Sequence, residues 1–411
     1  MENVYYIGNL IYLDSLHCVK SMKKLFLFFF LGLLGCDSNF NNYFNDHSNP
    51  KDYLFVASKI KQFPTENFFS GKIYSLQFFK DSEKYLSFLV PNENKLIVYN
   101  YDDETLFHIQ EFQIEGPYGV GELGFLSSHY NISKDSLLIY NFQNGVLFLL
   151  NDSSSLLNSF RVSNYKDPEV MPAPFPNSIR PIQYINQTVY LSSGLTNRLA
   201  DFSGFPSVVK IDLLSKKVNF FGEFSNLYSK AYWGNTFKYD PAIAILDERI
   251  YINFPIDFGI HFSDLKGLKF EIKKIGSDYF KEIPYFKENS NYFLSINPNE
   301  RNLEEDYFSL SNSDFAGLLV DEQREMLYRI AYLRPSLEEV QRGDRIPDFS
   351  VIVLDKNLNK LTEKRFDGKI FDCEMIFVSD EGLNIFRKDL YLKDENFMSF
   401  EVWSVERPFK N

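Results

Sequence analysis

Few residues in this chain are placed to do chemistry. Gly119-Val120-Gly121-Glu122-Leu123-Gly124 matches GxGxxG, whose use is to aim the amides of a helix start at a pyrophosphate inside a βαβ unit. Strand-like sequence follows instead, SSHYNIS and DSLLIYN, so the segment reads as a tight crossover in which glycines supply positive φ. Glu115 beside it reads as a cap for loop amides or as a lining of the channel mouth. P-loop, HExxH, GxSxG and CxxC patterns are absent from the sequence. His47, His108, His129 and His261 are too scattered to mark a metal site or a base, and His108 and His261 fall in strand-like runs and read as packed. Glu304 and Glu305, adjacent in a polar insertion, read as a solvated face. No metal or cofactor is expected, and no catalytic residue is assigned.

Cysteine chemistry points elsewhere. The stretch MKKLFLFFFLGLLGCDSN begins at Met22 with Lys23 and Lys24 and runs apolar from Leu25 to Leu34, about half of the roughly 20 residues a spanning helix needs. A basic start, a short apolar run and Leu33-Leu34-Gly35-Cys36 resemble the signal and lipobox of bacterial lipoproteins. That resemblance makes Cys36 the acylated residue after processing, anchored by more than one chain at about 0.8 kcal/mol per buried methylene. Residues 1–21, which contain Glu2 and Asp14, lie upstream of the expected start at Met22. Residues 1–36 are thus signal and lipobox, and the Asn-, Asp- and Ser-rich residues 37–51 read as a flexible tether. Cys18 falls upstream, so Cys373 is alone in the mature domain and reads as a buried free thiol.

The net charge of -12 argues against a nucleic-acid partner, which would require clustered Lys and Arg. The 43 Phe and 26 Tyr are core material first and sugar- or ligand-stacking surface second.

These residues must be positioned by β-structure. One unit recurs: an apolar strand, an Asp or Asn near its end, a polar turn and a second strand. It appears from Leu96, Val146, Val208, Gly259 and Ser350, with a sixth strand from Ser399 that lacks its follower. The starts are about 50, 62, 51, 91 and 49 residues apart, near the 40–50-residue period of propeller blades with two long insertions, and another strand precedes each unit. Asp152, Asp212, Asp264 and Asp355 in these hairpins read as turn formers, since Asp bonds backbone amides one or two residues on. The expectation is all-β: a six-bladed β-propeller of four-stranded blades over residues 52–411. Blade six needs a borrowed edge strand, and Tyr53–Phe63 is available to close the ring.

The lipobox, the strands from Tyr85 to Tyr101 and the EGPYGVG segment at 115–121 together resemble an uncharacterised family of bacterial lipoproteins with TolB-like six-bladed propellers. The resemblance implies a cell-envelope location, in the periplasm or on the cell surface, and supplies no catalytic residues.

In a propeller, loops from each outer strand to the next inner strand share one face with those joining a blade's second and third strands. The long segments 163–181, 193–206, 225–240, 277–314 and 333–349 all fall on that channel-mouth face. Long loops on a rigid scaffold concentrate function. Tyr118, Arg180, Tyr228, Tyr232, Trp233, Arg301, Arg334 and Arg342 there are the candidate contacts for a glycan, peptide or protein partner. The expected role is a membrane-anchored binding or scaffolding propeller; the alternative is a lyase or hydrolase acting on glycan or peptide at the same face.

Overall fold

The structure, a computed structural model, describes residues 53–65, 71–162, 172–194, 202, 204–267, 269–295 and 302–407. The signal, Cys36, the tether and Arg301 lie outside them.

The described chain forms six four-stranded antiparallel sheets in a ring, a six-bladed β-propeller. It opens with β1 (Leu54–Pro64). Blade one follows with β2 (Leu76–Lys80), β3 (Lys84–Val90), β4 (Lys95–Asn100) and β5 (Thr105–Glu111). Blade two contains β6 (Ser128–Ser133), β7 (Ser136–Asn141), β8 (Val146–Asn151) and β9 (Leu156–Arg161). Blade three has β10 (Gln183–Ile185), β11 (Thr188–Ser192), β12 (Val208–Asp212) and β13 (Lys217–Phe221), and blade four β14 (Ala242–Leu246), β15 (Arg249–Asn253), β16 (Gly259–Asp264) and β17 (Glu271–Lys274). Blade five is built from β18 (Asp314–Asp321), β19 (Met326–Leu333), β20 (Asp348–Asp355) and β21 (Lys360–Phe366). Blade six holds β22 (Phe371–Ser379), β23 (Gly382–Arg387) and β24 (Phe397–Glu406), with β1 as its outermost strand. β1 pairs with β24 from Leu54 opposite Glu406 to Pro64 opposite Phe397, so the expected N-terminal closure of the ring holds.

The apolar runs follow from blades packing on both faces. Successive side chains of a strand point to opposite sides, and in a propeller both sides meet a neighbouring blade. In β4, Leu96 and Val98 enter the cluster shared with blade two, whereas Ile97 and Tyr99 enter the one shared with blade six. In β7, Leu137 and Ile139 face blade one while Leu138 and Tyr140 face blade three. Six apolar clusters result, one in each seam between blades. The abundant Phe and Tyr fill these seams.

On the face opposite the mouth, the turns are two to six residues long. Asp212 accepts from the amides of Leu214 at 3.0 Å and Ser215 at 2.8 Å. Asp264 and Asp355 act likewise, which is the turn role expected of them. In blade two the acceptor is Asn151, bonded to the Ser155 amide at 2.7 Å, and not Asp152. The mouth-face connections include residues 275–313 between β17 and β18 and 334–347 between β19 and β20. Where the aperiodic polar sequence predicts loops, these segments carry two short helices: α1 (Leu303–Ser311), capped by Asn302, and α2 (Leu337–Gln341), closed by a Ser336–Glu339 capping box.

Candidate functional site

The approach to β10 fixes the floor of the mouth. Asn177 Oδ1 accepts from the amides of Ile179 (3.1 Å) and Arg180 (3.0 Å), folding residues 177–180 into a tight turn. The Ser178 amide donates to Tyr74 O at 2.8 Å, and Ser178 Oγ accepts from the Leu76 amide at 3.0 Å, both at the start of blade one. Ile179 O accepts from the Leu318 amide of blade five at 3.0 Å. A four-residue segment leading into blade three that bonds to blades one and five must lie on the ring's axis, so Ser178 and Ile179 plug the channel. A Cβ on Gly317 would sit 2.6 Å from Ile179 O, so glycine at that position is what lets the plug seat.

Around the plug stands a ring of charge drawn from five blades. Lys72, just before β2, pairs with Glu374 of β22 at 2.5 Å, and each keeps about a third of its side-chain surface (33% and 35%). The Tyr332 hydroxyl, at the end of β19, donates to Glu374 at 2.9 Å. Burial opposes ionisation of Glu374, but Lys72 and Tyr332, with Arg180 beyond them, outweigh it and hold the carboxyl below its usual range. Burial likewise works against the charge on Lys72, and Glu374 and Asp372 overcome it. A second cluster joins Asp314, the first residue of β18, to Lys238 at 2.5 Å and Arg334 at 3.3 Å. Burial, reinforced by repulsion from Arg334, lowers Lys238 to about 8 in spite of Asp314. Arg334 also stacks over Tyr332 and Phe237.

Arg180 and Asp240 complete the ring. Arg180 rests over Phe175, and its Nη1 reaches the Asp240 carbonyl at 3.4 Å. It forms no ion pair with the Asp240 carboxylate, which accepts no hydrogen bond among the described residues. Burial raises Asp240 to about 6, against the pull of Arg180.

The residues expected to form contacts are therefore sorted by the fold. Tyr118, 50% exposed, stands on the rim, and Glu115 beside it is exposed as well. Arg180 and Arg334 belong to the ring. Arg342 is exposed and donates from Nε to Glu338 O, closing α2. Tyr228 and Tyr232, each 1% exposed, and Trp233 are buried in an aromatic cluster with Phe202, Phe224, Tyr239 and Phe254. They anchor their loop and present no surface, a correction to the expectation that they contact a ligand. Tyr232 donates to Glu305, which is buried, so only Glu304 of that acidic pair belongs to a solvated face.

The histidines are also sorted. His129 sits between Ser75 Oγ (2.7 Å) and Ser87 Oγ (2.8 Å), and burial lowers it to about 3. His261 is buried against Asp257 at 3.1 Å. His108, expected to be packed, is exposed on the outer strand β5, because an outermost strand turns one face to solvent. Burial pushes the Cys373 thiol up, away from nucleophilic chemistry.

The sequence reading missed Lys72, Lys238, Asp240, Asp314, Tyr332 and Glu374. One signal marks most of them: a charged residue within a few positions of an inner strand's start faces the axis, as Lys72, Asp240, Asp314 and Glu374 do.

Fold and site together define a six-bladed propeller with a plugged channel and a charged, loop-built mouth. The chain belongs to the family described as Domain of unknown function (DUF4221), matched over residues 55–365. A member of that family from Bacteroides vulgatus is similar at TM-score 0.72 and 17% identity, covering 87% of this chain and 100% of that one. A candidate exported protein of Bacteroides fragilis is similar at TM-score 0.52 and 13% identity, covering 89% of this chain and 98% of that one. No curated protein matches.

Proposed function

We propose that this protein is a lipid-anchored component of the bacterial cell envelope that binds a partner or ligand at the channel-mouth face. The observation that carries the binding reading is where apolar surface is left open. Among the described residues, Ile114, Tyr118, Tyr279, Tyr285, Leu337 and Ile346 are large apolar side chains that are exposed on mouth-face loops, whereas the short opposite-face turns leave only Leu214 in that state. Exposed apolar groups gathered beside polar ones mark interaction surfaces.

The strand order supports an orientation consistent with this reading. As the fourth strand of blade six, β1 runs toward the mouth, with Leu54 at the opposite face. The chain that leads from Cys36 therefore enters the propeller on the opposite face, away from the mouth loops. The signal-like residues 22–36 and the candidate exported relative support the envelope location.

An enzyme at the same face has one observation in its favour, the Asp240 carboxyl near the range of general acid–base chemistry. Among the described residues no nucleophile or second carboxylate bonds to it. Photo-crosslinking in native membranes tests the binding reading, with the reactive residue at Tyr118 or Leu337 compared with Leu214. Adducts from the mouth positions alone are expected; equal adducts from Leu214, or none from the mouth, reject it. Loss of membrane association in Cys36→Ala tests the anchor separately.

A further inference from the structure

The Asp240 and Arg180 side chains lie near one another without pairing, although Arg180 Nη1 reaches the Asp240 backbone carbonyl at 3.4 Å. The two side chains are coupled electrostatically, yet no nitrogen–oxygen pair between them comes within 4.0 Å. Among the described residues the carboxylate accepts no hydrogen bond, and the guanidinium makes a single long one, to the backbone carbonyl of Asp240. Nε of Arg180 is buried without a partner. So is Nε of Arg334, a side chain only 7% exposed. Polar groups enclosed this far normally find partners, and leaving one unmade costs about 1–3 kcal/mol. The Arg180 side chain rests over Phe175, and Arg334 is held by Asp314 and by stacking on Tyr332 and Phe237.

We infer that the gap between Asp240 and Arg180 is a binding site for a neutral, hydroxyl-rich ligand, a saccharide. This rests on the mouth-face binding reading above and deepens it. Charge balance argues against an anion: Lys72, Arg180, Lys238 and Arg334 are opposed by Asp240, Asp314, Asp372 and Glu374, with Lys388 a further cation 4.0 Å from Asp372. A nearly balanced ring offers little net attraction to an ion. What it offers is an unused acceptor opposite an unused donor. A hydroxyl is the one common group that donates and accepts through a single atom, so it can give its proton to Asp240 while accepting from Arg180. An amide needs two atoms set apart to do the same. Two neighbouring hydroxyls on a sugar ring would occupy both carboxylate oxygens. The exposed Tyr118 and Tyr285 on the surrounding loops add faces on which a pyranose ring can stack.

The test is a glycan array of neutral and acidic saccharides probed with the purified protein, then calorimetric titration of the best-bound neutral oligosaccharide. Asp240→Asn and Arg180→Met are compared with Asp152→Ala on the opposite face, each checked for folding by its melting curve. The expected result is binding of a neutral saccharide, weakened at least tenfold by both mouth variants and unchanged by Asp152→Ala. The inference is overturned if the wild type binds no neutral saccharide, if it binds only acidic ones, or if a folded Asp240→Asn binds as well as the wild type. A blank array together with crosslinks from Tyr118 or Leu337 would overturn the saccharide site and leave the mouth-face reading standing.

Discussion

Replacing Asp240 by Asn should make the protein more stable near neutral pH, and the gain should vanish in acid. Burial raises the Asp240 carboxyl from 3.8 to about 6, so between these values the folded state holds its proton more tightly than the unfolded chain does. The folded state is therefore favoured below the unfolded pKa, and that advantage is lost as pH rises through about 6. At pH 7.5 the wild type keeps a largely buried carboxylate that accepts no hydrogen bond among the described residues. About two pKa units correspond to about 3 kcal/mol, which the partial solvent access of Asp240 reduces to about 2 kcal/mol. With an unfolding entropy of about 2.1 cal/mol/K per residue, a body of this size should melt about 3 °C higher in the variant. Differential scanning calorimetry at pH 7.5 and pH 4 would read it. The expected pattern is a clear rise at pH 7.5 that falls by more than half at pH 4. No rise at pH 7.5, or an equal rise at both, would refute the argument that Asp240 is held ionised at a cost to the fold. A side chain kept at such a cost is what a functional site looks like.

Three further outcomes follow from the same packing. Arg329 is fully buried, and burial lowers it to about 9; it donates to Asn253 Oδ1 and to the carbonyls of Asp257, Phe258 and Ile275, stitching blade five to blade four. Arg329→Met strands all four acceptors and should cost about 3–5 kcal/mol, visible as a lower thermal midpoint. Lys238 is lowered to about 8, so the unfolded chain binds more protons between about 8 and 10.5 and wild-type stability gains as pH rises through that window. Denaturant titrations at pH 7.5 and 9.5 should show a gain of about 2 kcal/mol that Lys238→Met lacks. Gly317→Ala drives a methyl against Ile179 O, 2.6 Å from the new carbon, and should destabilise the protein by about 1–3 kcal/mol; an unchanged melting temperature would show that the plug is loosely held.

The outer half of each blade was legible because its chemistry is local. An apolar strand ending in Asp or Asn, a short turn and a follower identify β4–β5, β8–β9, β12–β13, β16–β17 and β20–β21, and the lone β24 called for β1. Inner strands carry less signal: β10 is three residues long and cannot display a period. Tyr228, Tyr232 and Trp233 misled because SNLYSKAYWGNTFKYD is polar enough to read as an open loop, yet it folds its aromatics inward onto Phe202, Phe224 and Phe254. The charge ring was illegible for a different reason. Lys72 and Glu374 are three hundred residues apart, and only closure of the ring makes them neighbours.

That closure fixes an order of events at birth. Leu54 leaves the ribosome long before Glu406, its eventual neighbour in the ladder. Since chains emerge at about 5–20 residues per second, the first strand waits tens of seconds for the edge it must join. Throughout that interval β24 does not exist, blade six offers β1 no edge to join, and the ring stays open. Truncation anywhere before residue 397 would therefore remove more than a tail: it would leave the earliest-made strand of the ring with nothing to pair with.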